Sequence, residues 1–218
     1  MDDEMPRDLL IMIDTETTGI PSKHGPDVRP VQVGAVALDR KTGNEVAHFI
    51  ELLCPDVWVE GYLGAQKVHG ISRTKCEKKG LGMAAGWDRF ATWVQQLGSG
   101  YLYKGGTHRL SAWNVDFDRT VLHLWQKAAQ PSRNITDSHW PTWNEGPYRA
   151  ENGCAQALYR DWCGKSGRPV PMRGSLQSAL TAFGLPPQPE PHDALADARA
   201  AADVWRSIRA SVPAFPLP

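Results

Sequence analysis

The chain has 218 residues, of which 41% are hydrophobic and 22% charged, close to globular averages, which excludes disordered, collagen-like and coiled-coil classes. Its 24 basic and 24 acidic residues leave a formal net charge of zero, so no global field draws it onto a polyanion, and a nucleic-acid substrate would need local charge or metal ions to hold it. The longest aliphatic run, Leu9 to Ile13, is far below the roughly 18 residues of a membrane span. The acidic start (Asp2, Asp3, Glu4, Asp8 against Arg7) reverses the pattern of a signal peptide. A cytoplasmic protein without a membrane segment is expected. Its four cysteines match no CxxC element and are read as reduced thiols. The length suits one domain, taken as residues 1–210 with a Pro-rich tail over 211–218.

In chain order, Leu9 to Ile13 reads as a central strand covered on both faces, ending at Asp14-Thr15-Glu16-Thr17-Thr18-Gly19. Val31 to Leu38 and Val46 to Leu53 form a meander joined by a tight reversal around Gly43-Asn44. Met83, Trp87, Phe90, Val94 and Leu97 recur at helical steps and predict a helix on the sheet. Leu110 to Trp113 reads as a short buried strand, followed by a helix from Val115 to Lys127. The Trp-rich stretch 131–149 has no clean period and is taken as an insertion with room for a further strand. Helices are predicted over Ala150 to Trp162 and Ser175 to Phe183. After a stiff Pro-rich link, an alanine-rich helix follows from Ala194 to Arg209, capped by Asp193. Strands followed by helices make this an α/β protein, a sheet flanked by helices.

Side chains alternate faces along a strand, so Asp14 and Glu16 point the same way, about 7 Å apart at their backbones. Two carboxylates at the end of a buried strand repel and resist desolvation unless a cation is bound, and a divalent cation resolves the conflict. The alternative is a solvated pair at a strand end. Asp118 lies in the first turn of its helix, where the macrodipole favours acid in any case. It nevertheless aligns with Leu122 and Trp125, which makes it a better inward candidate than Asp116. Asp197 shares a stripe with Ala201, Val204 and Ile208, so it needs a partner, whereas Asp193 and Asp203 lie off the stripe and need only solvent. His192 can meet Asp197 only from the loop before the helix. Beside carboxylates it becomes a general-base candidate, since imidazole exchanges protons near neutral pH.

Asp14-Thr15-Glu16-Thr17-Thr18-Gly19, then Asn114-Val115-Asp116-Phe117-Asp118, then His192-Asp193-Ala194-Leu195-Ala196-Asp197-Ala198 resemble the three exonuclease motifs of the DEDDh family. That family includes the proofreading epsilon subunit of bacterial DNA polymerase III and ribonuclease T. Lys67-Val68-His69-Gly70-Ile71-Ser72 and Gly174-Ser175-Leu176 are similar to the family's connecting segments, and the resemblance runs from residue 9 to about residue 209. It departs at Trp113, where many relatives carry His or a small polar residue.

The resemblance implies a ribonuclease H-like fold, with a mixed sheet that is antiparallel at the meander and parallel after it. It also implies two-metal phosphodiester hydrolysis from a 3′ end with Mg²⁺ or Mn²⁺. By that resemblance Asp14 bridges the ions, Glu16 and Asp197 hold the ion that carries the water, Asp118 serves the second ion, and His192 takes the proton. Thr17, His69 and Asn114 are the implied substrate contacts. DNA is the expected substrate and a polymerase or other replication or repair protein an expected partner, with the oligomeric state open. An exoribonuclease of the same fold and a binding module are the alternatives. Lys67, Arg73, Lys75, Lys78 and Lys79 form a basic patch that reads either as a phosphate-backbone contact or as a solvated loop.

Overall fold

The computed structural model describes residues 8–97, 109–130, 153–172, 174–188 and 192–211. Strand β1 (Leu9–Thr17) runs through the middle of a mixed sheet. It pairs antiparallel with β2 (Pro30–Asp39), which pairs antiparallel with β3 (Glu45–Cys54). On its other side β1 pairs parallel with β5 (Arg109–Ala112). A two-residue strand, β4 (Leu81–Gly82), adds to the end of β3, giving the order β4-β3-β2-β1-β5. The meander and the parallel strand stand as expected. The reversal between β2 and β3 is closed by Asp39, whose Oδ1 accepts from the backbone N–H groups of Lys41 and Thr42, with Gly43 in the left-handed region at φ 77°.

Alternation along β1 sorts two cores. Leu9, Ile11 and Ile13 face α4 (Met83–Gln96) and α5 (Val115–Ala129), against Trp87, Phe90, Leu122 and Trp125. Leu10 and Met12 face α6 (Ala155–Lys165), α7 (Leu176–Ala182) and α8 (Ala194–Ser211). With both faces covered, β1 must be apolar on both, which is why its first five residues show no alternation of polarity. No described helix is long and apolar enough to cross a membrane. The four cysteines are free thiols.

The strand whose apolar run ends at Ile13 continues to Thr17. Asp14, Thr15 and Glu16 keep their ladder partners Gly34, Val33 and Gln32, and the register slips only between Glu16 and Thr17. The acidic residues therefore sit within the sheet, as the strand alternation of Asp14 and Glu16 required. The helix expected from Ala150 begins at Ala155, after Cys154 bridges in parallel to Ala112. Three short helices were not anticipated: α1 (Pro21–His24), α2 (Tyr62–His69) and α3 (Arg73–Lys79). The last two each bury a single side chain, Tyr62 and Cys76, too few to leave a periodic signature. The insertion proposed over 131–149, the further strand placed there, and the tail beyond Ser211 lie outside the described residues.

Candidate active site

Three elements converge at the C-terminal end of β1. Alternation sends Asp14 and Glu16 to the α8 face and Thr15 to the α5 face, where the Thr15 hydroxyl donates to Asp118 Oδ1 at 2.8 Å. Asp118 is 3% exposed, in line with the fully buried Leu122 and Trp125 as its spacing predicted. Asp116 turns outward and pairs with Arg119 at 3.1 Å.

Two residues of β2 bring the start of α8 onto the sheet. A Cβ on Gly34 would fall 2.2 Å from the backbone N of Leu195 and 2.3 Å from the backbone C of Ala194. Only glycine allows the helix backbone to come this close. Two residues along, the buried Gln32 amide accepts from Ala194 N–H and donates to Asp193 Oδ2, each at 3.0 Å. Asp193 Oδ1 in turn accepts from Ala196 N–H at 3.0 Å, an N-cap bond. The expectation that Asp193 needs only solvent is corrected: it is half-buried and tied to a strand 161 residues away, because the helix end it caps is pressed against the sheet. Asp203 pairs with Arg206. Sequence reading missed Gln32 and Gly34. A lone amide within an otherwise apolar strand was the available signal, since buried polar groups require partners.

The electrostatic result is concentrated negative charge. Burial, then the neighbouring Asp118, Glu16 and Asp197, push the Asp14 carboxyl well above its ordinary range. Burial and the charges of Asp197 and Asp118 push Glu16 from 4.5 up to about 8. Asp118 is pushed from 3.8 up to about 7, mainly by burial and against the lowering effect of the Thr15 hydrogen bond. Asp197 is raised by burial, opposed by a hydrogen bond from the Gln188 amide and by His192. Four carboxylates from three elements thus share one poorly solvated space, their repulsion opposed by hydrogen bonds from Thr15 and Gln188 and by His192. That is the condition a bound cation relieves, and oxygen donors of this kind suit hard divalent cations.

His192 stands on the loop before α8, as its spacing required, with its side chain exposed. It is the one described residue other than glycine with positive φ, at 65°, a conformation that stores strain. Glu16, His192 and Asp197 each place a ligand-capable atom within 4.8 Å of the others. Gln188, also missed, reaches Asp197 from the Pro-rich link.

A cleft of about 470 Å³ opens over this cluster, lined by Asp14, Glu16, Asp118, Asp197, His192, Thr17, His69 and Asn114 together with parts of α1 and α2. All eight residues singled out from sequence therefore lie on one cavity. Asn114 is exposed and spends no side-chain bond on capping α5. The Thr17 hydroxyl donates to Gly19 O at 2.6 Å and keeps its lone pairs. Ile71 N–H donates to His69 Nδ1 at 3.0 Å, so Nε2 carries the proton toward Thr17 O at 3.2 Å. Both ring nitrogens of His69 are thus engaged within the protein, and burial lowers its pKa. Trp113 also lines the cleft, its indole N–H donating to Gly174 O at 3.2 Å.

No protein-family model and no curated protein matches the sequence. Solved structures do match. The nuclease domain of 3′hExo, a DEDDh family member bound to rAMP, superposes with a TM-score of 0.67 at 15% identity, over 100% of this chain and 98% of that one. Exonuclease I of Methylocaldum szegediense gives a TM-score of 0.66 at 23% identity, over 94% of this chain and 41% of its own. E. coli exonuclease I in complex with a dT13 oligonucleotide gives 0.67 at 20%, over 95% and 42%. This chain thus spans about two fifths of the exonuclease I structures that it matches. The shared architecture is the ribonuclease H-like fold of these exonucleases, as the sequence motifs implied.

Proposed function

We propose that this chain is a metal-dependent 3′-to-5′ exonuclease that removes nucleoside 5′-monophosphates from the 3′ end of nucleic acid, with DNA as the preferred substrate. The observation that carries this reading is the meeting of Asp14, Glu16, Asp118 and Asp197 with His192 in one cleft, on a fold shared with exonucleases. The four carboxylates would hold two divalent cations. Mg²⁺ or Mn²⁺, when bound, supplies Lewis-acid charge to the reacting phosphodiester and acidifies water.

The chain's own groups perform the rest. The exposed His192 imidazole accepts the proton of the attacking water as its oxygen bonds to phosphorus. The bond from phosphorus to the 3′ oxygen of the preceding nucleotide breaks, and that oxygen leaves protonated from solvent. Asn114 and the free lone pairs of Thr17 offer polar contacts to the terminal nucleotide. His69 holds the Thr17 carbonyl and acts as a wall of the cleft, and Trp113 presents an aromatic surface. The left-handed backbone at His192 and the Gln32 clamp fix the base relative to the carboxylates before substrate arrives. The proposal extends to service beside a polymerase or other replication or repair protein, in a reducing cytoplasm that keeps the four cysteines as thiols.

The test is a gel of 5′-labelled single-stranded DNA, duplex DNA and RNA with Mg²⁺, Mn²⁺ or EDTA. A ladder that shortens from the 3′ end, needs a divalent cation and runs faster on DNA is the expected result. Internal cuts or cleavage in EDTA would overturn the mechanism, and faster digestion of RNA would reassign the substrate.

A further inference from the structure

The cleft presents four carboxylates to a polymer that is itself an anion and has a single lysine, Lys23, in its lining, so further attraction for the strand trailing behind its 3′ end has to come from elsewhere on the molecule. Residues 67–79 hold Lys67, Arg73, Lys75, Lys78 and Lys79 against the single acid Glu77, a local excess of four positive charges in a chain of net charge zero. All five cations are exposed.

Their arrangement separates them into two kinds. Arg73 pairs with Glu77 at 2.7 Å, and its guanidinium lies over the Trp58 ring, 5.3 Å from the centroid. Lys67, Lys75, Lys78 and Lys79 have no carboxylate partner among the described residues. At 100° per residue, Lys75, Lys78 and Lys79 share an arc of about 100° on α3, with Arg73 and Glu77 on the opposite side. The lysines thus form a coherent face instead of a ring of mixed charge.

That face is continuous with the cleft in the chain. α2 contributes Gly64, Ala65, Val68 and His69 to the cleft wall, and Lys67 lies about 130° around the helix from the middle of that wall. Gly70, at φ 72°, ends α2, and Ser72 caps α3 by accepting from Lys75 N–H at 3.1 Å. α3 then extends the lysine face by about 10 Å, at 1.5 Å per residue. Leu63 and Val68, 69% and 56% exposed, lie on α2 beside Lys67 and offer apolar surface of the kind bases and sugars can lie against.

We propose that Lys67, Lys75, Lys78 and Lys79 form a phosphate track for the single strand immediately 5′ of the nucleotide being removed. This inference rests on the exonuclease reading, but its principal readout is binding. Parent protein and the variant Lys67→Ala/Lys75→Ala/Lys78→Ala/Lys79→Ala are compared by fluorescence anisotropy on 5′-fluorescein-labelled dT20 in EDTA, across a range of salt. Each neutralised single-strand phosphate contributes about 0.7 to the slope of log affinity against log salt, so the variant loses up to about 2.8 of slope and binds at least about tenfold more weakly at 100 mM salt. Turnover of a dinucleotide, whose one phosphate is the scissile one, is expected to match the parent within twofold. Unchanged slope and affinity, or equal losses on the dinucleotide and dT20, overturn the track. A parent that binds dT20 yet hydrolyses nothing with Mg²⁺ or Mn²⁺ overturns the nuclease reading instead, so the two failures are distinguishable.

Discussion

His192 poses a test that depends on its backbone. Replacing it with Asn removes the base and keeps a residue that tolerates the left-handed region better than Ala does. His192→Asn is expected to lower kcat by about 10² to 10⁴-fold while calorimetry still detects Mn²⁺ uptake, and parent-like turnover would remove the histidine from the mechanism. Thr15 is a positioning residue, acting through Asp118. Thr15→Val deletes the hydroxyl that donates to Asp118, so the Asp118 carboxyl, already at about 7, rises further. The acidic limb of the pH profile of kcat/KM should move to higher pH in Thr15→Val, and an unmoved profile would detach the hydroxyl from the site. At this scale spacing alone put Asp14 and Glu16 on one side, turned Asp118 and Asp197 inward and left His192 on the loop, while their joint role came from the resemblance of the three motifs. Thr15, Gln32 and Gln188 were not legible, because a single Thr or Gln carries no periodicity and its role exists only once a distant partner has folded against it.

Among the elements, the joint between β2 and α8 sets the geometry. Gln32→Ala leaves the fully buried Ala194 N–H without its acceptor and frees Asp193, which costs about 1 to 3 kcal/mol for an unsatisfied buried donor. Chemical denaturation reads that loss, and activity should fall with it because His192 and Asp197 flank the released cap. Gly34→Ala places a methyl on the Leu195 and Ala194 backbone, a clash that backbone shifts relieve at about 1 to 3 kcal/mol. A variant as stable and active as the parent would mean that α8 is not held there. The long elements were legible because their apolar residues repeat. α2 and α3 were not, since each buries one side chain and helices this short draw their stability from tertiary contact. The surroundings of the end of β1 stayed open in the sequence because polar residues at a strand end look the same whether they enter solvent or a cleft.

Taken as a whole, the molecule places a charge cluster where the sheet and both helical layers meet, and its stability carries the signature. Glu16 and Asp118 titrate at 4.5 and 3.8 in ordinary surroundings but at about 8 and about 7 in the fold. Between those values the native state binds more protons than the unfolded chain, so stability falls as pH rises. The metal-free protein should therefore melt lower at pH 8.5 than at pH 5, with each 1 kcal/mol lost appearing as about 2 to 4 °C. Asp14→Asn, which removes one charge, should flatten the fall and added Mn²⁺ should abolish it, whereas a fall equally steep in the variant would place its origin elsewhere. The most direct measurement is calorimetric titration of Mn²⁺ at pH 7 in buffers of different ionisation enthalpy. The account predicts that the cation binds with release of protons from the carboxyls, and that Asp14→Asn weakens both binding and release. Failure of the parent to bind Mn²⁺, or binding with no proton release, would contradict it.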